Sequence, residues 1–232
     1  MTGTAAKHSF ESGRDAYKHG EYAQAIECWA KAAEAGDVEA QFQLGLMYGN
    51  GTGIEQDFAK ALACFSEAAK SGHTEAEYSL GVLYGVGLGV EQDCAEAAYW
   101  YSKAADAGHT AALCNLAGLY ETGKGVTQDY LKAVDLYGAA AEAGNVIAIY
   151  NLGVMTENGV GCEQDFVRAA EFYKVAADSG LAAAQYNLGT IYAQGVGIAR
   201  DLTKAKYWLA KAAEQGHKLA GRNLAVISDA AA

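Results

Sequence analysis

The sequence predicts an all-α chain built as a solenoid of helix-turn-helix repeats, and three observations carry that prediction. The first is a strict internal period: an Ala-Ala pair with Gly three residues on recurs every 36 residues, from Ala32-Ala33 and Gly36 to Ala212-Ala213 and Gly216. The second is that other columns keep the same register. Leu44, Leu80, Leu116, Leu152, Leu188 and Leu224 form one, and Ala40, Ala76, Ala112, Ala148, Ala184 and Ala220 form another. The third lies inside one unit, where Ala40, Leu44 and Met47 fall at i, i+4 and i+7, one face of a helix. Six periods account for 216 of the 232 residues, so stacked repeats set the organisation.

Each element follows from its residues. The first helix of the unit, helix A, is expected over residues 38–48. Gly49, Asn50, Gly51, Thr52 and Gly53 then form a connection in which glycine ends the helix and shapes the turn. Asp57, Asp93, Asp129, Asp165 and Asp201 suit the N-cap of the second helix, helix B, because a carboxylate accepts from free N–H groups at the positive helix end. Helix B is expected over residues 58–69, with Ala61, Cys64 or Phe65, and Ala68 inward. Small residues allow helix axes to approach near the ~8 Å end of the usual range. Two adjacent columns are expected to fill the core between them: Cys28, Cys64, Trp100, Leu136, Phe172 and Trp208, then Trp29, Phe65, Tyr101, Tyr137, Tyr173 and Leu209.

Composition narrows the function classes. Apolar residues make up 51% and charged residues 19%, which excludes a disordered chain. The 28 Gly without any Pro exclude collagen-like and Pro-rich linker readings. With 17 basic against 28 acidic residues, net −11, the chain repels phosphate, so no nucleic acid partner is expected. The charge is uneven: Arg200, Lys204, Lys206, Lys211, Lys218 and Arg222 make the last stretch basic. No basic start followed by an apolar run is visible, and no apolar run approaches the ~18 residues of a membrane span. Five cysteines, none in a Cys-x-x-Cys, fit a reducing cytosol, so a cytoplasmic protein is expected.

The pattern Leu80-Gly81…Tyr84…Gly87-Leu88-Gly89-Val90…Asp93…Ala97…Trp100…Ala104-Ala105 resembles the Sel-1-like repeat, a relative of the tetratricopeptide repeat. The resemblance covers units 37–72, 73–108, 109–144, 145–180 and 181–216 and a closing capping helix at 217–232. Residues 1–36, with Tyr17…Gly20-Glu21-Tyr22…Ala25, resemble a tetratricopeptide hairpin with a shorter turn. The resemblance implies a right-handed α/α superhelical solenoid whose helices A line the inner face, and an adaptor or scaffold with no reaction and no cofactor. The chain departs from the family in places. The loops read IEQD, VEQD, VTQD, CEQD and IARD where the family often has Pro, Thr156 breaks a Tyr column, and the third repeat shows Ala117-Gly118 where Leu-Gly is expected.

Chemistry-bearing motifs have bland readings. His73, His109 and His217 share one column at the start of helix A, and equivalent positions in adjacent repeats are too far apart to converge on one metal. The cysteines fall in apolar columns and are expected as small core residues. The paired cysteines of the family's secreted branch are absent. No Gly-x-Gly loop completes a phosphate-binding motif. Some family members are labelled β-lactamases, but no Ser-x-x-Lys is present for a nucleophile, so no enzyme is expected; a weak hydrolase of that type is the alternative.

By resemblance, positions 39, 42, 43, 46, 49 and 50 face the binding surface, and at about 100° per residue they share one arc of helix A. Gln43, Ser79, Asn115, Asn151, Asn187 and Asn223 form one column there. An amide offers donor and acceptor together, which suits the main chain of an extended peptide, and it equally suits a hydrogen bond to the neighbouring repeat. Phe42, Tyr78, Tyr150 and Tyr186 offer apolar pockets, and Glu39 and Glu75 offer acidic ones. The expected partner is another protein or peptide, neutral or basic. Lys218 and Arg222 suit a polar end cap and hence a monomer, with end-to-end self-assembly as the alternative.

Overall fold

The structure is a computed structural model that describes residues 3–229. Residues 1, 2 and 230–232, at the ends of the first hairpin and the closing helix, lie outside the described residues. Thirteen helices follow one another with no strand among the described residues: α1 Gly3–Lys18, α2 Tyr22–Glu34, α3 Val38–Asn50, α4 Phe58–Lys70, α5 Thr74–Val86, α6 Cys94–Asp106, α7 Thr110–Thr122, α8 Tyr130–Glu142, α9 Val146–Asn158, α10 Phe166–Asp178, α11 Ala182–Gln194, α12 Leu202–Glu214 and α13 Lys218–Asp229. From α3 onward the odd-numbered helices are helices A and the even-numbered ones helices B. They form two compact units. One runs from α1 to Leu119 and includes Gly123–Thr127; the other holds Tyr120–Thr122 and the chain from Gln128 onward.

Helix A is longer than its glycines suggest. Gly49 and Asn50 stay helical, and Gly51 takes the left-handed conformation (φ 68°) with its N–H donating to Met47 O. The loop then folds back onto the helix end. Asp57 N donates to Tyr48 O at 2.9 Å, and the Gln56 side chain donates Nε2–H to Gly49 O at 2.7 Å. The same closure recurs with Gln92 on Gly85 O, Gln128 on Glu121 O, Gln164 on Glu157 O and, in the last repeat, Arg200 Nε on Ala193 O. A loop pinned in this way needs no Pro to fix it. Each predicted Asp caps helix B: Asp57, Asp93, Asp129, Asp165 and Asp201 all accept from backbone N–H groups of the first turn.

The last loop glycine joins one repeat to the one before it. At Gly89 (φ 71°) a Cβ would lie 2.4 Å from the Phe58 backbone, so this loop sits directly on the first turn of the preceding helix B. Gly125 meets Cys94 and Gly161 meets Tyr130 in the same way. A second close approach lies within each hairpin. A Cβ at Gly45, Gly81 or Gly153 would stand 2.4–2.7 Å from the ring of Phe65, Tyr101 or Tyr173. In α1, Gly13 does this against Trp29, four residues later in register, because the α1–α2 turn spans three residues (19–21) where later loops span seven (51–57). In the third repeat it is Ala117, fully buried, that takes this position, and Gly118 follows it, so the departure lies at Ala117 and Leu116 keeps the Leu column.

Of the two aromatic columns, one forms the core. Trp29, Phe65, Tyr101, Tyr137, Tyr173 and Leu209 are buried. Cys28, Cys64, Trp100, Leu136 and Phe172 are only half-buried, and Trp208 alone of that column is buried. One residue is about 100° of rotation on a helix, which carries the side chain from the hairpin core to its flank. Cys28 and Cys64 are half-buried for this reason; Cys94, the first residue of α6, and Cys162, in the loop before α10, are half-buried as well, and Cys114 is buried.

These contacts rank two substitutions. Gly108→Ala meets open space and strains only the left-handed backbone, about 1–2 kcal/mol. Gly89→Ala adds a backbone collision with the preceding helix, so urea denaturation should show a clearly larger loss, with about 2 kcal/mol more as the scale of such overpacking.

Candidate binding face

The N-cap column of helix A organises the candidate residues. Asp37, His73, His109, Asn145 and His217 each accept from the backbone N–H three residues on. The histidines use Nδ1, at 3.2 Å for His73 and 3.1 Å for His109. Nδ1 must then carry no proton, so Nε2–H is free to donate. It points to the preceding repeat: His73 to Glu39 Oε2 at 3.3 Å, His109 to Glu75 Oε2 at 3.2 Å. The imidazoles also stack on Phe42, Tyr78 and Tyr186, with centroids 4.4–4.5 Å apart. The helix-start role of the histidines therefore holds, and it draws in Glu39, Phe42, Glu75, Tyr78 and Tyr186. Glu39 and Glu75 keep 47% and 59% of their side chains exposed.

The column from Gln43 to Asn223 is half-buried throughout. Gln43 Nε2 donates to Glu39, and Ser79 Oγ donates to Glu75 O. The Asn115 amide engages the Tyr101 hydroxyl of the preceding hairpin. Burial pushes that phenol up to about 12, and Asn115 opposes the shift. The Asn187 amide engages both Tyr150 and Tyr173, which burial also pushes up. Tyr173 is raised further because it donates to the Glu157 carboxylate, at 2.5 Å. Tyr137 donates to Glu121 in the equivalent pair at 2.9 Å.

Glu121 and Glu157 were not among the residues singled out from sequence. Their signal is a pairing between positions 16 apart: Glu with Tyr in the third and fourth repeats, Gly49 with Phe65 in the first and Ala193 with Leu209 in the last, although the second repeat sets Gly85 against Tyr101. A second signal is the charge of helices A. From α3 to α11 they carry Glu39, Glu75, Glu77, Glu121 and Glu157 and no Lys or Arg. Among the described residues no group of three or more His, Cys, Asp or Glu could hold a metal ion, and no helix is long and apolar enough to cross a membrane. On the closing helix Leu219 and Val226 are exposed beside Lys218 and Arg222.

Successive packed helix pairs, closed by Gly-x-Gly loops and capped in register, define an α/α repeat solenoid. The Sel1 repeat model matches residues 10–37, 38–73, 74–109, 110–145, 146–181 and 182–217, and the chain belongs to the Sel1 repeat family. The first match includes the short-turn hairpin α1–α2. Solved structures agree. The protective antigen c5321 of uropathogenic Escherichia coli, described as displaying an SLR fold, is 36% identical with a TM-score of 0.90 over 96% of this chain and 48% of its own length. The chain thus spans about half of that relative. A Sel1 repeat protein from Oxalobacter formigenes is 31% identical with a TM-score of 0.82, over 88% of this chain and 84% of its own. No curated protein matches the chain.

Two outcomes are expected. His73→Ala should cost about 1 kcal/mol on thermal or chemical unfolding, and His73→Asn should recover most of it, because an Asn fills the same cap at Asn145. Tyr101 stays protonated in the fold to a higher pH than in the unfolded chain. Its contribution is intact below pH ~10 and is lost as pH rises toward ~12, since the unfolded state then binds fewer protons. Absorbance titration of the phenols should show a late group that ionises together with loss of the helical circular dichroism signal; complete titration in a folded chain by pH ~11 would contradict this.

Proposed function

We propose that the chain is a non-enzymatic adaptor that binds a neutral or basic protein segment on the helix-A faces of its two units. Sel1-repeat solenoids typically serve as protein-interaction scaffolds. The observation that carries the choice of face is the charge segregation. Between residues 37 and 216 every Lys and Arg lies on a helix B or in a loop, and the charged residues of helices A are all Glu: Glu39, Glu75, Glu121 and Glu157 at or near the surface and Glu77 buried. Such a face attracts cationic segments and rejects acidic ones. The Asn amides suit the role as well. Asn115 and Asn187 spend part of their capacity on tyrosine hydroxyls, and an amide with two donors and two lone pairs retains sites for a peptide main chain. Phe42, Tyr78, Tyr150 and Tyr186 stand half-buried beside that column. On this reading the protein works in the cytoplasm, as a monomer, without a cofactor.

The test is a pull-down from a native lysate comparing wild type with Asn151→Ala/Asn187→Ala, with melting curves to confirm that both are folded. Partner recovery should fall about tenfold, as loss of central polar contacts implies. Equal recovery by a folded double variant would remove the Asn column from the binding site.

A further inference from the structure

In the first unit an open cavity of about 320 Å³ lies between α3 and α5. That is at the lower end of the ~300–1,000 Å³ range of ligand pockets. Its walls are chiefly apolar, among them Leu46, Phe58, Tyr78, Val82 and Leu88. The cavity is open at position 49 because that residue is Gly49; the third and fourth repeats fill the equivalent position with Glu121 and Glu157. At the end of α5, Val86 is 61% exposed.

The two helices present matching stripes. On α5, Glu75, Ser79, Val82 and Val86 follow at i, i+4, i+7 and i+11; on α3, Glu39, Gln43, Leu46 and Asn50 do the same. Both stripes therefore start with a carboxylate; the α5 stripe reaches the cavity at Ser79, four residues and about 6 Å along the axis, and the α3 stripe at Leu46, seven residues and about 10 Å along it. The carboxylates are held in place before any ligand arrives, Glu39 by Gln43 and His73, Glu75 by His109. Each uses one bond per named oxygen and keeps lone pairs for a further donor. No Lys or Arg lines the cavity or stands on either stripe. An extended peptide advances roughly 3.3 Å per residue, so ~6–10 Å corresponds to about two to three residues.

The geometry points to a subsite for a basic peptide with one apolar anchor. A bulky side chain such as Leu, Met or Phe enters the α3–α5 cavity, and a Lys or Arg about two to four residues away pairs with Glu75 and Glu39. This subsite rests on the adaptor reading and narrows it to one ligand class in the first unit. The cavity supplies the affinity through apolar burial, and the paired carboxylates supply selectivity and direction.

The experiment is selection of a random dodecapeptide phage library on the purified full chain, followed by fluorescence anisotropy with the labelled consensus peptide. The expected consensus has one bulky apolar residue with Lys or Arg two to four positions away. Val82→Asp should weaken binding about tenfold or more. Ser79→Trp, which blocks the cavity mouth without removing a core atom, should do the same in a chain whose melting curve is unchanged. Glu39→Lys/Glu75→Lys should weaken binding severalfold at about 0.05 M salt and much less at about 0.5 M. Glu163→Lys, an exposed loop charge off every helix A, should leave this peptide's affinity within about twofold. Absence of enrichment, an acidic or uncharged consensus, or indifference to both Ser79→Trp and the Glu reversals overturns the subsite. If the selected peptides depend only on Asn151 and Asn187, the subsite falls and the adaptor reading stands. If no peptide is enriched and the pull-down recovers no partner, both fall.

Discussion

The fold depends on how its helix ends are closed. A helix of 13 residues is marginal alone in water, and each one leaves four N–H and four C=O groups without an internal partner. In a chain made almost entirely of such helices, end groups are a large share of the backbone. The loops resolve this with one repeated device: a left-handed Gly, a Gln or Arg side chain on the last carbonyls, the Asp backbone N–H on another, and the Asp carboxylate on the first turn of helix B. The same loop carries the glycine that lets it sit on the preceding helix B. Closing a helix end and joining one repeat to the last are thus a single structural event. This is why the loop residues recur as strictly as the core residues.

The parts legible in the sequence are those governed by local rules. Helical periodicity, Asp capping and the helix-start role of His73, His109 and His217 each involve residues within one turn of one another. What was not legible depends on contacts across turns. The Gln56 side chain reaches a carbonyl seven residues back, through a loop whose path no local propensity fixes. The Tyr137–Glu121 and Tyr173–Glu157 pairs span 16 residues and join two helices. The choice between adjacent columns was also beyond composition, since Phe65 and Cys64 are both apolar and only the hairpin geometry decides which enters the core.

The candidate face is made of residues that also hold repeats together. Phe42 and Tyr78 stack on the histidines of the next repeat, while those histidines bond the glutamates of the one before. Asn187 stands on the tyrosines of its neighbours. A surface built in this way is fixed before binding, so little ordering cost is left for association. It also means that substitutions on the face act on stability and on affinity together. A binding measurement on this surface is therefore informative only beside an unfolding measurement on the same variant.

Carboxylates left unbalanced on helices A would by themselves oppose folding. The carboxylates are sparse: Glu39, Glu121 and Glu157 stand singly on α3, α7 and α9, Glu75 shares α5 with the buried Glu77, and α11 carries none. Glu39 and Glu75 are each bonded to an imidazole N–H, and Glu121 and Glu157 to a phenol, which disperses their charge further. Lys60, Lys132 and Lys204 of helices B reach across to the rings of Tyr48, Tyr120 and Tyr192, but among the described residues none of them forms an ion pair with these carboxylates. Lys31, Lys70 and Lys174 pair with acids on their own helices, Glu27, Glu67 and Asp178. Charge is therefore balanced locally on one set of helices and left unbalanced on the other. Stability alone gives no reason to leave Lys and Arg off every helix A from α3 to α11, because an exposed i,i+4 cation there would add a few tenths of a kcal/mol. Binding of a cationic segment does give a reason, since each added Lys or Arg on that face would repel it.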